Sequence, residues 1–310
     1  MKAVGVTGPH FMPRLFDVDE PVVAPDGVVV EVMAASVTDF DRAAVEGHYA
    51  GSTGQREPVL LGRDFVGRVT AVGNEVDYID VGMYVAGAMP PRAPGHPGTF
   101  SDMVAVPAGS VAPVPDGVGI AQAASVGLAG ITAVDAIGVL GLATLGNLVI
   151  HGPVSEVGGF VLQLAKARGA VVAAVTPAEE AYLARRLGAD VVIPEGASAT
   201  QSIHAVRAFF GGGVDTAIHI AGDVSVAAGV LRQGGRYTSV SDTTTPAARS
   251  DINYVPTIVT PNGQKLADLL FKLAGLRLRS RARRTLSFDQ FAEAVSPQRK
   301  NSGGRIVLVR

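Results

Sequence analysis

The chain has 310 residues, 47% of them hydrophobic, and a mean hydropathy of +0.31, enough apolar material for a large core and, at this length, for two domains. A formal net charge of -2 and a pI near 6.3 give no electrostatic footprint for nucleic acid or an anionic membrane, so neither is expected as a partner. Cysteine is absent from the whole sequence, which excludes disulfides, thiolate catalysis and Cys-type zinc sites.

The opening Met1-Lys-Ala-Val-Gly-Val6 reads as a short strand and lacks the long apolar segment of a signal peptide. No uninterrupted apolar run reaches membrane-spanning length, and a cytoplasmic location is expected. Residues 1–118 carry short β-branched runs punctuated by Gly and Pro: Val28 to Val32, Val66 to Val72, Tyr84 to Ala86 and Met103 to Val106. Such spacing predicts a β-rich, barrel-like domain. The Pro- and Gly-rich stretch Met89 to Gly98 reads as a lid or a rigid connection. After Pro115 the pattern turns Ala-rich and helical, with candidate helices at Ile120 to Val126 and Thr132 to Leu140.

From Leu148 the chain reads as strand, tight turn, helix, strand. An apolar run enters the Gly152 turn, a helix follows whose Phe160, Val161, Leu164 and Ala165 share a face, and Gly169 ends it before Val171 to Val175. This is the first unit of a dinucleotide fold, in which glycines serve the turn, the backbone approach to pyrophosphate and the helix–strand packing. Gly152 and Gly158 suit the first and last roles, but Ser155 and Glu156 occupy the centre. Strand and helix patterns then alternate to residue 240, predicting a parallel sheet, with Gly188, Gly222, Gly234 and Gly235 where elements end. Beyond the polar loop Ser241 to Arg249 come a strand pattern (Asn253 to Val259), two helices (Gly263 to Ala274 and Phe288 to Val295) and a closing strand, Arg305 to Val309. Arg277, Arg279, Arg281, Arg283 and Arg284 read as a solvated basic edge. The domains expected are 1–118, 119–252 and a return segment, 253–310, and the fold class is α/β.

Several dispersed segments together resemble the zinc-free quinone oxidoreductase branch of the medium-chain dehydrogenase/reductase family. Ala34-Ala-Ser-Val-Thr-Asp-Phe-Asp41 is similar to its "AASVNPxD" strand-turn, and Gly62 to Gly73 to its "GxDxAGxVxxVG". Gly98 to Val106, Ala123 to Ala133, Leu231 to Arg236 and Gly304 to Leu308 match further family segments in order and spacing. The resemblance implies a GroES-like catalytic domain built from both chain ends and a central Rossmann domain, with nicotinamide in the cleft between them. It implies a homodimer, paired through edge strands of the Rossmann sheets near Tyr254 to Val259. It also implies hydride transfer from NADPH to a quinone or an α,β-unsaturated carbonyl compound. Arg63-Asp64 stands where zinc-dependent relatives have His-Glu, so no metal is expected.

On this resemblance the cofactor contacts fall to Thr132, His151, Gly152, Ser155, Val157 and Gly158, with Thr176, Arg185 and Arg186 placed for a 2′-phosphate. Three acids oppose that assignment: Glu156 replaces a turn glycine, Glu180 the family's 2′-phosphate lysine, and Glu195 its phosphate-site tyrosine. Glu156 either points to solvent or takes the anion's place at the helix N-terminus. Glu180 has a bland alternative as a surface partner of the arginines, and Val175-Thr176-Pro177 offers no acid of the NAD-specific kind at the second strand's end. Hydride transfer needs donors to the developing enolate or phenolate, and Tyr49 and Thr38 match the family's positions for that role. Asp41, His48, His96 and Asn262 border the expected substrate site. Turn capping suits Asp41 better than catalysis, and pairing with Arg63 or with backbone N–H groups suits Asp64. The alternative function is a scaffold with a degenerate cofactor site that performs a non-redox reaction or binds a small molecule.

Overall fold

The computed structural model describes all residues except 9–11, 49–57, 90–97, 142–145, 242–248 and 297–303. Two compact units emerge, one from Met1–Ile131 with Val259–Arg310, the other from Thr132–Ile258. Both boundaries differ from the expected ones. The first lies inside one helix, Ile120–Val139, which replaces the two short helices expected there. By length and composition alone this helix would pass for a membrane span, yet two-thirds of it is buried in the protein's own core. Ala123, Ala124, Ala129, Ala133 and Ala136 are buried on it. Small side chains let neighbouring backbone approach closely, which explains an all-round apolar helix without a bilayer.

The first unit is β-rich, as its alternating runs predict. The central strand, Gly27–Ser36, pairs antiparallel with Asp64–Val72, Met103–Pro107 and, from the far end of the chain, Arg305–Val309. Val28, Val30 and Val32 are fully buried in a core with Phe65, Val104 and Leu308, while Glu31 between them is exposed. The period of two points these valines into the core, and the sheet's opposite face is covered in part, with Val29 buried as well. Tyr84–Ala88, Val111–Pro113 and Ala282–Ser287 extend this sheet, and Arg14–Asp17, Lys2–Val6 and Val59–Leu60 form a second, three-stranded one. The Arg-rich segment is not uniformly solvated: Arg281 is buried, Arg277 lies over the Phe271 ring and Arg284 pairs with Glu293.

The second unit holds a six-stranded, all-parallel sheet. Numbered along the chain within the unit, its strands lie in the order 3-2-1-4-5-6: Val191–Pro194, Val171–Thr176, Asn147–His151, Val214–His219, Leu231–Ser239 and Asn253–Tyr254. This is the doubly wound Rossmann order, in which ligands bind beyond the carboxyl ends of the strands where the order reverses. The second strand is buried from Val172 to Thr176, a near-continuous apolar run that fits a sheet covered on both faces. Gly234 and Gly235 do not end an element. They sit inside the fifth strand, whose pairing slips between Val214↔Leu231 and Thr216↔Arg236, and Gly234 has φ +77°. A bulge needs this freedom as much as a terminus does.

Candidate functional site

The carboxyl end of the first parallel strand leads into the turn that the sequence singles out. Gly152 has φ +119°, and a Cβ there would lie 2.8 Å from the backbone N and O of Ala221, so both conformation and space demand glycine. The helix Glu156–Ala167 starts at Ser155, whose Oγ accepts from the Gly158 N–H at 3.2 Å. A side chain at Gly158 would place its Cβ 2.9 Å from the Pro153 carbonyl. Glu156 is only 7% exposed. It therefore does not point to solvent; its carboxylate is held in the first turn, where the helix dipole favours negative charge.

Glu180 takes a position that linear spacing hides. After Thr176 ends the second strand, Pro177 starts a 3₁₀ turn, Ala178–Glu180, closed by Glu180 N–H donating to the Pro177 carbonyl at 2.9 Å. The chain doubles back, and Glu180 Oε2 accepts from the Val154 N–H at 2.5 Å and from Thr176 Oγ1 at 3.2 Å. The expected surface pairing with Arg185 and Arg186 is thus replaced by a bridge from the phosphate turn to the end of the second strand. Both arginines are exposed in the last turn of the helix Ala181–Arg186. A carboxylate thus stands at the second strand's end, supplied by Glu180 from beyond it.

A second polar cluster lies along the same sheet edge. His151 and His219 end the first and fourth strands, in register with each other, with rings stacked at 5.3 Å and Nδ1 atoms 3.2 Å apart. Glu195, immediately after the third strand, brings Oε1 to 3.4 Å from His151 Nε2, and its backbone N–H donates to the Thr176 carbonyl. One of the two facing Nδ1 atoms donates and the other accepts, so the pair shares a single proton across this contact. Burial holds both imidazoles below their ordinary pKa, His219 down to about 4 with help from its histidine neighbour, while Glu195 opposes the shift at His151. Both are neutral at pH 7. His219 is a residue that sequence reasoning missed, because a lone His ending an apolar strand carries no signal until register sets it beside His151.

In the first unit, Thr38 and Asp41 form the start of the helix Asp39–Glu46. Asp41 Oδ2 accepts from Thr38 N–H at 2.6 Å and from Thr38 Oγ1 at 2.8 Å, and Oδ1 accepts from Gly62 N–H at 2.6 Å. Burial pushes the Asp41 carboxyl up against these bonds. Asp64 is tied to Arg305 at 2.8 Å rather than to Arg63, and also accepts from Ser36 Oγ and the Leu128 N–H. The Arg63 guanidinium stacks 3.5 Å above the Phe40 ring. A zinc ion does not fit this pair: one position offers a cation, and the other's carboxylate is already committed to a guanidinium. His48 is exposed near Glu46 at 3.7 Å, Asn262 caps the helix Gly263–Ala274 by accepting from Lys265 N–H at 2.9 Å, and Thr132 is buried in the long helix. Val157 is half-buried in the first turn after the cap. Tyr49, His96 and most of the Met89 to Gly98 segment lie outside the described residues.

A β-rich unit closed by the chain's own C-terminal strand, with a Rossmann unit inserted before it, defines a two-domain dehydrogenase/reductase architecture. The family model for the alcohol dehydrogenase GroES-like domain matches residues 24–116, and that for zinc-binding dehydrogenase matches 157–261. The chain belongs to the medium-chain dehydrogenase/reductase family. It is 34% identical over 186 residues to the mouse NAD(P)H oxidoreductase RTN4IP1, mitochondrial, covering 54% of this chain and 46% of that protein. It is 30% identical over 178 residues to the trans-enoyl reductase pgmF of Aspergillus terreus, covering 55% and 49%. The matches thus span about half the length of these curated relatives. The quinone oxidoreductase structure from Coxiella burnetii superposes with a TM-score of 0.83 at 23% identity, over 100% of this chain and 99% of that one.

Proposed function

We propose that this chain is an oxidoreductase that transfers hydride from a reduced nicotinamide dinucleotide to a quinone or an α,β-unsaturated carbonyl compound. The observation that carries it is the Gly152 turn at the switch point of a 3-2-1-4-5-6 parallel sheet, followed by a capped 12-residue helix. A dinucleotide fits this edge: the Gly152–Gly158 turn would hold the pyrophosphate, and Thr176 with Glu180 would meet the adenosine ribose. Bound there, it supplies the hydride and the site for its transfer. The protein's own task is to orient the acceptor and stabilise the oxyanion that forms. Thr38 spends its hydroxyl proton on Asp41, which leaves its oxygen as an acceptor, so the donor role in this proposal passes to the Tyr49 phenol. The choice between NADPH and NADH turns on Thr176 and Glu180.

The second reading, a scaffold that binds a small molecule without a dinucleotide, is favoured by one observation. Glu180 already occupies the Val154 amide in the turn, and Glu156 is buried at the first position of the helix that follows. Titrating the protein with NADH and NADPH by calorimetry separates the two. Saturable binding of either, followed by dinucleotide oxidation on adding quinones or enones, supports the redox reading; no binding of either at millimolar concentration sinks it.

A further inference from the structure

We infer that Glu180 makes this chain select a dinucleotide with a free 2′-hydroxyl on its adenosine ribose, NADH, over NADPH. The inference rests on the dinucleotide reading of the second unit and names the residue that decides its specificity. The departure from the NADPH expected by resemblance comes from tertiary placement. Thr176 is fully buried at the carboxyl end of the second strand, one strand from the Gly152 turn. Glu180 folds back to that strand end and links it to the turn through Oε2. This is the region where Rossmann folds set an acid to accept hydrogen bonds from the ribose 2′-hydroxyl. Oε1 takes no part in the two bonds, and the side chain is partly exposed, so acceptor capacity is available to a diol.

The same geometry is hostile to a 2′-phosphate, which carries between one and two negative charges at neutral pH. Both donors to Glu180 are uncharged, a backbone N–H and a threonine hydroxyl, so no cation among the described residues bonds to its carboxylate. Glu195 adds a second carboxylate next to the same strand end, anchored by its N–H to the Thr176 carbonyl. Its near neighbour His151 is kept neutral by burial and does not cancel that charge. The local field therefore rejects an added phosphate while leaving the hydroxyl form unopposed. Arg185 and Arg186 lie farther along the chain, at the exposed end of the short helix, not in the Glu180 bridge.

Calorimetric titration of the full chain with NADH, NADPH, ADP-ribose and 2′-phospho-ADP-ribose tests this without relying on turnover. The expected result is binding of NADH at least about tenfold tighter than of NADPH, with the same order for the two ADP-ribose fragments. Glu180→Gln keeps an oxygen for the Val154 N–H but removes the charge, and should bring the ratio towards one. Glu180→Lys should reverse it, and thermal melting of each variant reports whether the fold is kept. NADPH binding as tightly as NADH to the unaltered chain overturns the inference, as does a ratio that Glu180→Gln leaves unchanged. If no dinucleotide or fragment binds, the proposed function itself fails, and the inference with it.

Discussion

At the scale of single residues, the strongest local commitments are buried charges that the linear sequence leaves unpaired. Asp64 is fully buried and meets Arg305, 241 positions away. Burial pushes its carboxyl up and the guanidinium holds it down. Removing one partner of such a pair leaves the other charge uncompensated, which costs about 3–5 kcal/mol. Arg305→Met is expected to lose stability of that order in urea denaturation at pH 8. The loss should shrink as the pH is lowered, because a carboxyl raised by burial takes up a proton in the folded state more readily than in the unfolded one. A penalty that grows on acidification would contradict the pairing. The histidine pair works in the opposite sense. His219 stays neutral in the fold down to about pH 4, whereas an unfolded histidine charges near 6.5. The unfolded state therefore binds the extra proton, and the stability this site contributes is lost progressively as pH falls from about 6.5 towards about 4. His219→Gln should flatten the pH dependence of the denaturation midpoint between pH 7 and pH 4.5; an unchanged slope would show that the pair does not titrate in this way.

At the scale of elements, the decisive unit is the strand–turn–helix at residues 147–167. Its existence was legible from the apolar run, the Gly152 turn and the shared face of Phe160, Val161 and Leu164, because these depend on local periodicity. Gly152→Ala places a Cβ against the Ala221 backbone at a φ that L-residues rarely adopt. A loss of at least about 2 kcal/mol is expected in chemical denaturation. Ser155→Ala removes only the cap bond to Gly158 and should cost about 1 kcal/mol. Equal effects of the two substitutions would mean that the turn is less constrained than its geometry indicates. The helix Gly263–Ala274 and the closing strand Arg305–Val309 have the bounds the sequence predicts. The join at residues 120–139 was not legible: an Ala-rich stretch with glycines at Gly127 and Gly130 reads as an interruption. In the fold, a Cβ at Gly127 would lie 2.6 Å from Asp64 Oδ1 and one at Gly130 would lie 2.8 Å from Leu269 Cδ1, so these glycines serve packing within a continuous helix.

At the scale of the whole molecule, we propose a homodimer formed through the terminal strand of the parallel sheet, Asn253–Tyr254, which among the described residues has a strand partner on one side only. An edge strand presents unpaired backbone groups that a second copy can satisfy. Light scattering on a gel-filtered sample at micromolar concentration is expected to give twice the chain mass; a monomer would refute the proposal. The sequence by itself determined the two-domain character of this protein, the β-rich first unit, the alternating second unit and the dinucleotide-type turn. Each of those follows from patterns within about 20 residues, where side-chain period and glycine placement dictate local conformation. Only the tertiary structure decided where the charges go. Glu180 bonding Val154, His219 beside His151, and Arg305 on Asp64 all join segments that lie apart in the chain. Strand register and chain reversal set those pairings, and neither can be read from the spacing of the residues they bring together.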